Sequence, residues 1–135
     1  MTLKLEFVLL DGSYALARLP RGRTNIDWKQ GEFAVAIASP EGTTLVCEAG
    51  AVPQGAESQS GFRCLRVGGS FALDSVGVVA ATVQPLASAG IGLFAYSTWE
   101  TDYILIQQTD LQLALSSLTQ AGHKVRESLV LSPDD

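Results

Sequence analysis

The chain has 135 residues, 47% of them apolar and only 17% charged, which is ample for a packed core in one domain or two very small ones. Its formal net charge of −5 argues against a dedicated nucleic-acid binder, whose affinity rests on a net basic surface. The longest uncharged stretch, Ser75 to Trp99, is broken by Gly77, Pro85, Gly90 and Gly92, so it reads as helix plus strand and not as a membrane span.

Leu3, Leu5, Phe7 and Leu9 alternate with Lys4 and Glu6, the period of a half-buried strand, and Asp11-Gly12-Ser13 is expected to turn the chain into a second strand, Tyr14 to Leu19, as a hairpin. No basic flank or cleavage site of a signal peptide precedes the first strand, and a cytoplasmic location is the expectation. Arg18, Arg21 and Arg23 cluster around Pro20, as a solvated turn or as an anion site. Thr24 to Trp28 has the residues to cap a helical turn, and Phe33 to Ala38 and Thr43 to Cys47 read as a strand pair across Pro40-Glu41-Gly42. Residues 49–61, AGAVPQGAESQSG, read as a linker. Cys47 and Cys64 lie in apolar runs without a second pair to complete a metal-ligand set, and are expected as reduced, buried small hydrophobes.

Beyond residue 61 the pattern changes. Phe62 to Val67 reads as a strand, and Ser75 to Ala89 as a helix with Val76, Val79, Leu86 and Ala89 near one face, interrupted at Pro85 and ended by Gly90. Ile91 to Tyr96 and Tyr103 to Gln108 read as strands. Thr109-Asp110-Leu111-Gln112 matches a capping box, and Leu111, Ala114, Leu115 and Leu118 make a helical stripe ending at Gly122. A last strand is expected over Val125 to Leu131. The order βαββαβ implies an α+β fold with an antiparallel sheet and both helices on one face, the ferredoxin-like arrangement.

The corner Ser97-Thr98-Trp99-Glu100-Thr101-Asp102 stands out, because a hairpin ordinarily turns on Gly, Asn or Asp. Upstream, Leu73-Asp74-Ser75-Val76-Gly77-Val78 opens the helical pattern, where free backbone N–H groups attract anions. An amino acid suits this pair of elements. The amides of Val76, Gly77 and Val78 can take its carboxylate, and Asp102 or Asp74, with a carbonyl near Leu93, can take its ammonium. Asp74 also reads as a helix N-cap, Asp102 as an Asx turn, and Glu100 and Thr98 as solvated turn residues. Trp99 reads as a lid or as a cover for the core.

G-V-V-A-A-T-V-Q-P-L-A-S-A-G-I-G-L-F-A-Y-S-T-W-E-T-D-Y-I-L-I, with L-x-x-A-L-x-x-L-x-x-A-G-H behind it, resembles the ACT domain in the form seen in aspartate kinase regulatory regions and cytosolic arginine sensors. D-G-S-Y-A-L-A-R-L-P, Trp28, L-V-C and Val52-Pro53 extend the resemblance to small stand-alone tandem ACT proteins. It implies two ACT-like units, a β-rich one over residues 1–60 and an ACT domain over 61–135, and a free amino acid bound where ACT units meet. The positions matching the family's ligand site are Asp74, Ser75, Val76, Gly77 and Val78, then Leu93 and Phe94, then Ser97, Thr98, Trp99, Glu100, Thr101 and Asp102. A homodimer or larger assembly is expected, with no cofactor, nucleic acid or membrane partner.

Catalysis has little support in the sequence. The single histidine, His123, follows Gly122 at a helix end, where a cap is a simpler role than a general base. Val67-Gly68-Gly69-Ser70 lacks the lysine of a P-loop. The rival to the sensor is an interaction module with a degenerate ligand site that pairs with itself or a partner through sheet edges.

Overall fold

The computed structural model describes residues 3–22, 31–68 and 77–127. Among these the chain forms eight strands, β1 (Glu6–Leu9), β2 (Tyr14–Leu19), β3 (Val35–Ser39), β4 (Gly42–Glu48), β5 (Glu57–Val67), β6 (Leu93–Ser97), β7 (Asp102–Gln107) and β8 (Lys124–Glu127), and two helices, α1 (Val78–Ser88) and α2 (Leu111–Gln120). They sort into two compact units, residues 12–62 and residues 1–11 with 63–135. The expected division after residue 60 therefore shifts for the first strand, which packs with the second half.

In the unit of residues 1–11 and 63–135 the strand order is β6-β7-β5-β1-β8. The expected βαββαβ series is present as β5-α1-β6-β7-α2-β8, with β1 laid between β5 and β8. It runs antiparallel to β5, Phe7 opposite Val67, and parallel to β8, Phe7 opposite Val125. The expected hairpin of the first two strands does not form, because β1 spends its ladder on β5 and β8. Burial explains the choice: Leu5, Phe7 and Leu9 join Leu65, Val67, Ile104 and Ile106 in one core with Val78 and Leu86 of α1 and Leu111, Ala114 and Leu118 of α2. Each such side chain brings about 1.5–3 kcal/mol, which a two-stranded hairpin could not supply.

Helix α1 buries Val78, Thr82 and Leu86. Of the expected face, Leu86 is buried and Ala89 packs against the core, whereas Val79 is 52% exposed, with Val78 and Thr82 buried in its place, and Val76 lies outside the described residues. The buried Thr82 hydroxyl is satisfied by the Val78 carbonyl at 2.9 Å. Helix α2 buries the expected Leu111, Ala114 and Leu118, but its capping box is absent: Gln108–Asp110 form a 3-10 turn, and Asp110 is the N-cap without a side-chain bond. Both helices end as expected on glycine, Gly90 at φ 77° and Gly122 at φ 94°. In each, the next two N–H groups reach back to the last turn, Gly90 to Ala87 and Ile91 to Leu86, then Gly122 to Thr119 and His123 to Leu118.

The unit of residues 12–62 has the order β3-β4-β2-β5, antiparallel throughout, around Ala17, Leu19 and Leu45. The expected linker 49–61 is instead a 3-10 turn, Ala49–Ala51, followed by the first residues of β5. Glu57 to Gly61 are exposed and show no apolar alternation, yet they are held as strand by β2, with Leu16 opposite Gln59 and Arg18 opposite Glu57. Between Tyr14–Phe62 and Leu16–Gln59 the β5 side carries one extra residue, and Gly61 at φ 86° accommodates that bulge. Cys47 and Cys64 are buried, and burial, helped by Glu48, pushes the Cys47 thiol above its ordinary range. Arg18 and Arg21 are exposed. Arg23, the helical turn expected at Thr24–Trp28 and the last strand beyond Glu127 lie outside the described residues.

Candidate functional site

The β6–β7 corner is closed by Ser97 opposite Asp102 and organised by one hydroxyl. Thr98 Oγ1 accepts the N–H groups of Glu100 and Thr101, each at 3.2 Å, and donates to the Thr101 carbonyl at 3.1 Å, with Glu100 Oε2 further off at 3.5 Å. The Thr98 N–H closes the turn on Thr101 O at 2.8 Å. A side-chain hydroxyl thus does what glycine or asparagine does in commoner hairpins, which is why the corner needs no residue at positive φ. Trp99 stands at the tip, 76% exposed, so it covers no core. Ser97 Oγ donates to Asp102 Oδ1 at 2.6 Å, and among the described residues nothing bonds the second carboxylate oxygen.

Thr101 is buried, and its hydroxyl donates to the Val67 carbonyl at 2.7 Å, pinning the corner to the last residue of β5. From Gly68 the chain runs on towards α1, so the corner is fixed to the strand end from which that connection leaves. Thr101→Val keeps the shape and removes the bond, and should cost about 1.5 kcal/mol in urea unfolding. A neutral result would mean that the corner is held by its own turn alone.

The opening of α1 is described from Gly77; Asp74, Ser75 and Val76 lie outside the described residues. Gly77 has φ 90°, and a Cβ there would meet nothing within 4 Å. The glycine is therefore required by backbone conformation before any ligand arrives, and Gly77→Val would be strained for that reason alone. Val78 points into the core. Among the described residues no side chain caps the helix, and its first turn holds no acid. The first intrahelical bond runs from Ala81 N to Gly77 O, so the amides of Val78, Val79 and Ala80 have no intrahelical acceptor among the described residues.

Leu93 and Phe94 sit towards the other end of β6 from the corner, about 13 Å and about 10 Å from Ser97 along the strand. Leu93 packs against the core, while Phe94 is 44% exposed. The sequence-derived set thus falls into a corner group and a Leu93–Phe94 group, a separation longer than one amino acid.

One constellation was missed by sequence reasoning. Pro85 lies inside α1 and has no N–H for the carbonyl of Ala81, four residues back. His123 supplies the donor: its Nε2 is 3.1 Å from Ala81 O, while its Nδ1 accepts the Leu5 N–H at 3.0 Å. These two partners define the neutral tautomer with the proton on Nε2. The ring is 5% exposed and meets Phe7 edge-on at 5.4 Å. With both nitrogens engaged by main chain, His123 has none left for proton transfer. A proline in a helical pattern, which orphans the carbonyl four residues back, was the signal available. Among the described residues no cluster of His, Cys, Asp or Glu could hold a metal, and no helix is long and apolar enough to cross a membrane.

The match to known proteins agrees with this architecture. Residues 57–120 match the family model of the ACT domain, and the chain belongs to the ACT domain family. It is similar to an Agobacterium tumefaciens protein of known structure, at 30% identity and a TM-score of 0.87 over 94% of this chain and 96% of that one. A Vibrio cholerae protein of unknown function, described as a possible transport protein, is 26% identical over 87% of this chain and 90% of the other, with a TM-score of 0.70. The regulatory subunit of aspartate kinase from Thermus thermophilus, in a ligand-free form, shares the fold at 14% identity and a TM-score of 0.61, over 85% of this chain and 96% of that one. No curated protein matches the chain. Family membership suggests a ligand-binding regulatory role and a non-catalytic domain.

Proposed function

We propose that the chain is a regulatory sensor that binds a free amino acid at the α1 opening and the β6–β7 corner, and reports occupancy through its own assembly or a partner. The α1 opening carries this reading: in an ACT protein, the helix begins on a positive-φ glycine with no described side chain on its first amides and no acid in its first turn. Such a start favours a carboxylate, through its N–H groups and the positive end of the helix dipole. Asp102, with one oxygen taken by Ser97, retains a second for an ammonium. In this reading Glu100, exposed at the corner, selects the ligand side chain, and Thr98 acts by shaping the turn that presents it. No cofactor enters this scheme, and a cytoplasmic location goes with it.

A thermal-shift screen of the twenty amino acids tests it. One of them at ~10 times its Kd should add about 1.4 kcal/mol, a melting shift of roughly 4 °C. A flat screen at millimolar concentrations would sink the sensor and favour the interaction module. That second reading has its own support: the hydroxyls of Ser97, Thr98 and Thr101 are already spent inside the corner, and among the described residues β3 and β6 each pair on one side only.

A further inference from the structure

The unit of residues 12–62 holds a groove of about 350 Å³ across β4, β2 and β5, lined by Leu16, Arg18, Thr44, Glu57, Ser58 and Gln59. The ladder explains how they meet. Arg18 is paired with Thr44 on one side and Glu57 on the other, and Leu16 with Gln59, so these four neighbours of β2 and β5, with Thr44, share one face of the sheet. That pairing depends on the bulge in β5. Counted from Tyr14–Phe62 without an extra residue, Leu16 would face Ser60 and Arg18 would face Ser58; the bulge at Gly61 moves each partner by one and turns Gln59 and Glu57 to this face instead. The exposed, polar stretch Glu57 to Gly61 thereby gains a use that core packing does not give it.

Arg18 and Glu57 are opposite charges set side by side, yet among the described residues no ion pair joins them. Nor do the side chains of Thr44, Ser58 and Gln59 have hydrogen-bond partners there. By contrast, the grooves along α1 hold no arginine, lysine or carboxylate, and the groove beside the β3–β4 turn holds Arg21 alone. The β2–β5 groove thus offers a cation and an anion together, neither of them spent within the fold.

We propose that this groove is a ligand site in its own right and takes an α-amino acid as its zwitterion. Charges on directly opposed residues, whose Cα atoms are about 4.5–5.5 Å apart, match a ligand whose own two charges sit on one carbon. The Arg18 guanidinium takes the carboxylate through two parallel hydrogen bonds, and the Glu57 carboxylate takes the ammonium. Leu16 offers the ligand side chain an apolar floor, with the Gln59 amide beside it for a polar end. Arg18 and Glu57 are exposed, so water competes for both charges and the expected affinity is millimolar. The groove belongs to a different unit from α1 and the β6–β7 corner, and the proposal does not rest on binding there.

Residue-resolved amide NMR tests it, with L-glutamine titrated to ~50 mM as the probe. The signals of Arg18, Thr44 and Gln59 should move together with one saturable affinity. N-acetyl-L-glutamine, which has lost the ammonium, and L-glutamine methyl ester, which has lost the carboxylate charge, should each bind there at least about tenfold more weakly. Arg18→Gln and Glu57→Gln should each lose the groove response at an unchanged melting temperature, because both side chains are exposed and unpaired among the described residues. Asp102→Asn should leave that response intact. Groove signals that stay still, that respond equally to the acetylated or esterified probe, or that respond as before in Arg18→Gln would overturn the proposal. Movement at the corner with a still groove would overturn this site and leave the sensor reading standing, whereas movement at the groove with a still corner would do the reverse.

Discussion

Replacing His123 with alanine should lower stability by about 3 kcal/mol, a melting drop of roughly 10 °C, because a buried main-chain N–H and a part-buried carbonyl lose their partner together. The Leu5 N–H, 3.0 Å from Nδ1, and the Ala81 carbonyl, 3.1 Å from Nε2, would both be left unpaired beneath the helices, and Phe7 would lose its edge contact. Pro85→Ala separates the two losses. Alanine restores the helical N–H for Ala81 O, so in that background His123→Ala should cost about 1 kcal/mol less, with only Leu5 still orphaned. Urea unfolding of the four chains of this cycle checks it. Strict additivity would mean that histidine and proline do not share the carbonyl, and that the ring acts through packing alone.

The same constellation shows where sequence reasoning stops. Pro85 and His123 are 38 positions apart, and a pattern read along the chain can announce an orphaned carbonyl without saying which side chain answers it. The features written locally were legible: the Tyr14–Leu19 strand to the residue, the Leu111–Ala114–Leu118 stripe, and the glycines ending both helices. The misreadings arose where distant partners decide. Glu57 to Gly61 has the composition of a linker and becomes strand because β2 offers it a ladder. β1 has the pattern of a hairpin arm and is drawn instead between β5 and β8 by the core beneath the helices. At the candidate site the sequence marked the corner through its residue types. It carried no sign that Thr98 would satisfy the turn internally, or that Thr101 would be spent on Val67.

For the ligand, the carboxylate of Asp102 and that of the bound amino acid should make separable contributions. Asp102→Asn should weaken binding about 30-fold, or about 2 kcal/mol, because an ammonium held by a carboxylate loses its counter-charge. Ser97 Oγ can still donate to the amide oxygen of asparagine across the 2.6 Å contact, so the corner should keep its closure and the chain its melting temperature. At the other end of the ligand, its methyl ester presents no charge to the α1 amides and should bind at least tenfold more weakly, a difference of about 1.4 kcal/mol. If the two ends are held independently, the losses should add when the ester is titrated into the Asp102→Asn chain by calorimetry. Equal affinity for ester and free acid would remove α1 from the site. An unchanged affinity in Asp102→Asn would remove the corner carboxylate, leaving the Leu93–Phe94 end of β6, about 13 Å away along the strand, as the place to look for the ammonium's acceptor.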